Sequence, residues 1–246
     1  MLNKKLVTAA VTAALMAGFG STQAVAADEF EISGNIALTS DYRFRGISQS
    51  DEDPAVQGGF DVGFEPGFYL GTWGSSIDFG GGNDTGSFST LELDYYGGWR
   101  GPIGDSDFGV DVGYAYYDYP GDTVDPKGDY QEFYVKGSWT TLVFAVFYSD
   151  DYYAETGESW YFSGDYSLGL IDSLTLGLHA GYTDLDEVGF LSNDTQDYTD
   201  YAVSLTYNWA TVDFSVAYVG TDLDEEDYFG TELAEPVAVF TIKKAM

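Results

Sequence analysis

From Phe30 onward the apolar side chains recur at every second position, the period of a β-strand whose two faces meet different surroundings. In the first such segment Phe30, Ile32, Ile36, Leu38, Tyr42 and Phe44 share one face, while Glu31, Ser33, Asn35, Thr39, Asp41, Arg43 and Arg45 share the other. A helical repeat of 3.6 fits this spacing poorly. The pattern returns along the chain. Val56, Phe60, Val62 and Phe64 oppose Gln57, Asp61 and Glu65; Tyr69, Trp73, Ile77 and Phe79 oppose polar or small residues; Leu91, Leu93, Tyr95 and Trp99 oppose Glu92 and Asp94. Val110, Val112, Tyr114 and Tyr116 oppose Asp111, and Phe133, Val135 and Trp139 oppose Glu132, Tyr134 and Lys136. Residues 142–148 are almost wholly apolar, so either face could point either way. Trp160, Phe162, Tyr166 and Leu168 then oppose Asp165, and Leu174, Leu176, Leu178 and Tyr182 oppose His179. Tyr201, Val203, Leu205, Tyr207 and Trp209 oppose Asp200; Val212, Phe214, Val216 and Tyr218 oppose Asp213; Phe240 and Ile242 close the series.

These segments predict an all-β fold of about twelve antiparallel strands joined as an up-and-down meander. The connections alternate in length. Residues 65–67, 101–105, 139–141, 169–172 and 208–210 read as tight turns, whereas 46–54, 80–87, 120–128, 150–158, 184–196 and 221–234 are long and rich in Asp, Gly, Asn and Thr. Short turns on one side and long loops on the other are the habit of outer-membrane barrels, with the long loops facing outward.

Periodicity alone does not say which face is inside. A small soluble barrel would hide its apolar face and wet its polar one. A closed barrel of about twelve strands encloses more space than side chains fill, so an apolar interior would demand a large greasy ligand, while a polar interior simply holds water. The apolar face is therefore expected to meet lipid and the polar face to line a lumen.

The amino terminus fits export. Lys4 and Lys5 precede an apolar run over 6–19 and the small residues Ala24 and Ala26. That run is shorter than the ~20 residues of a membrane-spanning helix, which favours a signal peptide over residues 1–26 rather than an uncleaved anchor. The barrel domain then covers 27–246. No cysteine is present, so neither disulfides nor thiolate metal sites contribute. Of 9 basic residues the mature chain keeps 7, against 41 acidic ones, a formal charge of −34. That excludes nucleic acid as a natural partner. The 21 Tyr, 17 Phe and 5 Trp supply more apolar surface than a disordered acidic chain carries.

Residues Thr39 to Ser50, Thr-Ser-Asp-Tyr-Arg-Phe-Arg-Gly-Ile-Ser-Gln-Ser, followed by Asp53-Pro54-Ala55-Val56-Gln57-Gly58-Gly59, resemble the opening of the TorF family of proteobacterial outer-membrane proteins. Phe68-Tyr69-x-Gly71-x-Trp73-Gly74-Ser75, the stretch from Leu91 to Gly98 and that from Asp111 to Gly121 extend the likeness over nearly the whole mature chain. The resemblance implies a porin of the cell outer membrane. It also implies an aromatic residue closing the last strand as a cue for the barrel assembly machinery, where this chain has Met246.

The polar faces supply the candidate site. Arg43 and Arg45, on the polar face of the first strand, are expected to point into a lumen that carries Glu31, Asp61, Glu65, Glu92, Asp94, Asp111, Glu132, Asp165, Asp200 and Asp213. Arginines set against carboxylates can impose a transverse field on passing ions, or can simply brace the wall as ion pairs. The excess of acids predicts a channel for passive diffusion of small hydrophilic solutes, with a preference for cations. A non-conducting barrel serving adhesion or as a scaffold, its lumen filled by large side chains such as Tyr117 and Tyr134, is the alternative. Asp-rich stretches near 51–53, 184–187 and 222–227 lack the spacing of a dedicated calcium loop and read as solvated loops that meet lipopolysaccharide, with no metal site and no cofactor. His179 is the one histidine and lacks an accompanying nucleophile motif, so no enzyme is expected. A monomer is favoured because no strand carries an apolar surface beyond the lipid band.

Overall fold

The computed structural model describes residues 25–27, 30–79, 87–192 and 194–246. The strands are β1 (Val25–Ala27), β2 (Phe30–Thr39), β3 (Arg43–Phe44), β4 (Ile47–Ser48), β5 (Ala55–Phe64), β6 (Phe68–Ser76), β7 (Leu91–Pro102), β8 (Phe108–Asp118), β9 (Tyr130–Trp139), β10 (Leu142–Ser149), β11 (Ser159–Ile171), β12 (Leu174–Leu185), β13 (Asp197–Trp209), β14 (Val212–Thr221) and β15 (Val237–Ala245). From β5 to β15 each strand pairs antiparallel with the next, β15 returns to β2, and β2 pairs with β5. Twelve strands thus close into an up-and-down barrel. A closed ladder is what lets a sheet cross lipid, since it leaves no unpaired edge in a solvent that offers no hydrogen bonds. Among the described residues no helix is long and apolar enough to cross a membrane.

The outside of the wall is greasy. Ile36, Leu38, Phe60, Phe133, Val135, Phe144, Val203, Phe240 and Ile242 are all exposed, as alternate positions of neighbouring strands. In water such a continuous apolar belt would cost roughly 25 cal/mol for each Å² left wet, so the belt defines the lipid-facing surface. The inner face carries Ser33, Asn35, Glu92, Asp94, Glu132, Ser163, Asp200 and Ser204, all buried. The 142–148 segment, ambiguous in sequence, turns Phe144 outward at 63% exposure and Ala145 and Phe147 inward.

The closure seam lies between β15 and β2. It pairs Thr241↔Thr39 through Ala245↔Asn35, and Met246 extends it by exchanging backbone bonds with Gly34, N to O 2.8 Å and O from N 3.0 Å. Beyond that point β1 covers the same edge of β2, pairing Val25↔Ile32 through Ala27↔Phe30. The expected signal peptide falls almost wholly outside the described residues, as does most of the expected loop 80–87.

Three expectations are corrected. The first strand ends at Thr39, so Tyr42 and Phe44 are not on the lipid face; Tyr42 is 4% exposed inside the barrel. Arg43 and Arg45 accordingly leave the polar face of that strand and belong to the loop that follows. In β6 the faces are reversed: Phe68 and Leu70 look outward, and Tyr69 and Trp73 look inward, with Ile77 also buried. Both faces of β6 are rich in carbon, so alternation alone cannot rank them. The Tyr69 hydroxyl decides the matter by bonding Asp111 of β8 and Tyr134 of β9 along the inner face of the wall, at 2.5 and 2.6 Å.

Candidate functional site

The loop after β2 does not project outward. It folds back into the barrel as a small hairpin, β3 and β4, paired through Arg43↔Ser48 and Phe44↔Ile47. The turn between them is Arg45-Gly46, both with positive φ (48° and 84°), as a two-residue hairpin turn matched to the strand twist requires. Gly46 is constrained twice over, because a Cβ there would meet the Thr221 methyl, the Asp200 Cβ and the Gly220 carbonyl. The hairpin tip is therefore seated against β13 and the end of β14.

Polar side chains hold this inward course. The buried Asp41 carboxylate accepts from Ser48 Oγ at 2.6 Å, Ser50 Oγ at 3.2 Å and Arg43 Nε at 2.5 Å. Arg43 extends the net, donating to the carbonyls of Gly46, Leu233 and Glu235 and to the Glu52 carboxylate. Ser48 N donates to Leu233 O at 2.9 Å. Arg43 is thus a brace inside the hairpin that also fastens it to the loop before β15.

Arg45 does the reaching. Its Nη2 donates to Glu132 Oε1 at 2.6 Å, and both side chains are 1% exposed. Glu132 belongs to β9, on the wall opposite β2 in the strand order, so this pair spans the lumen. Tyr117 donates to the other Glu132 oxygen at 3.0 Å. The flat guanidinium lies 4.1 Å from the ring centre of Tyr161 and 4.8 Å from that of Phe44, with Phe147 and Tyr152 at 5.6 and 5.8 Å. Nε and Nη1 find no hydrogen-bond partner among the described residues, so ring faces stand in for water around the charge.

Beside it, Tyr42 donates to Glu92 Oε1 at 2.9 Å. Burial and the neighbouring Glu92 carboxylate push the Tyr42 phenol well above its usual range, so it acts as a donor at any physiological pH. Asp94, two residues along β7, is equally buried, and its Oδ1 lacks a partner among the described residues. Lower on the wall His179 lies between two carboxylates, Nδ1 2.8 Å from Asp165 and Nε2 2.8 Å from Asp200, with the Tyr161 hydroxyl at 3.1 Å. This cluster ties β11, β12 and β13 together.

The half of the lumen nearer the short turns is less tightly filled. Asp61 accepts from Tyr96 at 2.6 Å, Asp111 from Tyr69, and Asp213 from Asn208 at 2.7 Å, while Glu31 is exposed near the start of β2. Three bases share this half: Lys136 lies 4.7 Å from the Tyr134 ring centre, Arg100 lies 5.2 Å from that of Tyr69, and Lys243 pairs in register with Asp213. The structure brings Arg45, Glu132, Glu92 and Asp94 together at the hairpin and leaves Glu31, Asp61, Asp111 and Asp213 apart from it. Asp165 joins through His179. What sequence reasoning missed was the hairpin itself: Gly46 supplies half of a two-residue turn signal, but Arg45 stands where Asn, Asp or Gly is preferred, so the signal is weak.

A closed twelve-strand barrel with a lipid-facing belt and a polar interior defines a membrane protein of the outer-membrane barrel class. The chain belongs to a family of bacterial proteins of unknown function, Gcw_chp, whose profile matches residues 23–246. Its fold is similar to that of the KdgM porin, with a TM-score of 0.54 at 12% identity over 87% of this chain and 97% of that one. The NanC porin gives 0.53 at 14% identity, over 87% and 98%. KdgM has also been solved in complex with disordered oligogalacturonate, and that structure gives 0.52 at 10% identity, over 87% of this chain and 96% of that one. No curated protein matches the chain significantly.

Proposed function

We propose that this barrel is a porin-like channel of the outer membrane through which small hydrophilic solutes diffuse, with the inward hairpin over 40–54 as its constriction. The observation that carries this reading is the lumen itself: a polar wall, half-open toward the short turns, narrowed toward the long loops by one hairpin fastened through Arg45 and Glu132. The porin folds it resembles, and the likeness of residues 39–59 to TorF-type porins, support the same reading. The constriction residues are Arg43, Arg45, Glu92, Asp94 and Glu132; Asp165 lies on the wall beside them, and Glu31, Asp61, Asp111 and Asp213 line the wider half.

Cation preference rests on the net charge of the chain. Lys136, Lys243 and Arg100 stand among Asp61, Asp111 and Asp213, and most hairpin carboxylates are bonded to arginine or tyrosine, so the preference is expected to be small. Residues 1–26 act as the export signal in this reading. Cleavage after Ala26 would remove two of the three residues of β1 and leave the closed ladder intact. The assembly machinery and lipopolysaccharide are the partners that such a barrel needs.

A second reading has its own observation. Arg45, Tyr161, Tyr198 and Glu132 are essentially unexposed, so the loop end of the lumen is filled by protein. A barrel that stays closed would serve adhesion or as a scaffold. Single-channel recording of the refolded mature protein in a planar bilayer under a salt gradient tests both: stepwise openings with a small cation-directed reversal potential support the channel, an anion-directed potential overturns the selectivity, and a folded barrel that never conducts favours the scaffold.

A further inference from the structure

Above the hairpin, among the long loops, lies a cavity of about 380 Å³ whose described lining includes no charged side chain. Its floor is the hairpin, through Phe44, Ser48 and Gln49, together with Leu233. Its walls are rings from five different loops. Tyr153 meets Tyr119 at 5.5 Å and Phe79 at 6.0 Å, and Phe190 meets Tyr152 at 5.1 Å and Tyr228 at 6.4 Å, mostly edge to face. Soluble loop tips seldom gather so many rings, since exposing them is costly and polar residues serve as well.

The volume falls in the range of small-molecule sites, which are apolar with a few placed polar groups. The placed groups here are phenols. Tyr119, Tyr153 and Tyr228 line the cavity, and burial holds all three phenols above their usual range, so they remain neutral donors. The wall offers ring faces and edges for stacking and a few donors for an acceptor oxygen. A free anion would enter a molecule of large negative charge and meet no base, and a pyranose would need partners for a full circle of hydroxyls.

We propose that this cavity binds a small uncharged aromatic compound bearing a hydroxyl or carbonyl oxygen, stacked among Tyr153, Tyr119 and Phe190 on the floor made by the hairpin. The site does not depend on whether the barrel conducts.

Calorimetric titration of the refolded full barrel in detergent at neutral pH, with 4-hydroxybenzyl alcohol, which stays uncharged there, as the probe, tests this directly. Saturable binding is expected, weakened at least tenfold by Leu233→Trp, which fills the floor, and by Phe190→Ala, which removes a wall; Val135→Leu on the lipid face should leave it unchanged. Glucose, benzoate and tetramethylammonium are run beside it. Saturable binding of glucose or tetramethylammonium in preference to the aromatic would overturn the ligand class. No binding, or aromatic binding that both cavity variants leave intact, would overturn the site, because uptake into detergent or the lipid belt is indifferent to them. Circular dichroism and heat-modifiable gel migration establish that each variant is folded.

Discussion

Arg45 lies on a loop that leaves the barrel wall at β2, yet its guanidinium binds Glu132 on the opposite wall at 2.6 Å with almost no exposure to solvent. The pair is the strut that keeps the hairpin across the lumen. Removing one partner from a buried ion pair strands the other charge, which typically costs about 3–5 kcal/mol, whereas replacing both by apolar groups of similar volume is often neutral. Glu132→Ala and Arg45→Ala should each lower the thermal midpoint of the refolded barrel and raise its conductance. Arg45→Met combined with Glu132→Leu should recover most of the midpoint.

Gly46 offers a test of the seat rather than the strut. A side chain there suffers both a φ of +84° and collision with Thr221 and Asp200. Left-handed backbone without glycine costs about 1 kcal/mol before any clash. Gly46→Val should displace the hairpin tip, read as new protease cleavage within 40–54 in folded protein, while the ladder from β5 to β15 keeps its protection.

The orientation of the wall is checked at neighbouring positions. Val135 is 53% exposed on the outer face of β9. An arginine near the middle of a lipid-facing strand costs about 2–4 kcal/mol in membrane barrels. Val135→Arg should reduce stability by that order in a urea titration in lipid vesicles, and Val135→Leu should change it by less than about 1.5 kcal/mol, as swaps between similar apolar groups do.

Met246 tests the seam. Its contribution to the fold is made by the backbone, through the paired bonds to Gly34, while the side chain is 58% exposed. Met246→Phe should therefore leave the unfolding midpoint nearly unchanged and speed insertion into vesicles assisted by purified assembly machinery. Deleting Met246 should lower the unfolding free energy by the few kcal/mol at most that two backbone hydrogen bonds contribute.

Most of the wall was legible in the sequence because the membrane enforces strict alternation. Leu91, Tyr95, Glu92 and Asp94 fall where the period places them, as do Phe133, Val135 and Glu132. The reading failed where alternation stopped carrying information. At β6 aromatics occupy both faces, and only the inner-face bonds of Tyr69 assign them. At Tyr42 and Phe44 the alternation continues past the end of β2 because a second, shorter strand begins with the same period inside the barrel. The Arg45 to Glu132 contact joins positions far apart in the chain, and no local pattern encodes which carboxylate an inward arginine will meet.

The fastening of the hairpin has a bearing on when the protein can become watertight. Ser40 N bonds Phe240 O, Arg43 holds the carbonyls of Leu233 and Glu235, and Ser48 N holds Leu233 O, so the first inward loop is clasped by the segment leading into the final strand of the sheet. The same segment zips the ladder shut against β2. An unfinished or unzipped cylinder therefore lacks the clasp for its own stopper, and closing the circumference and seating the stopper become one event rather than two. A barrel caught open at that seam would be leaky in both senses at once, through its side and along its axis.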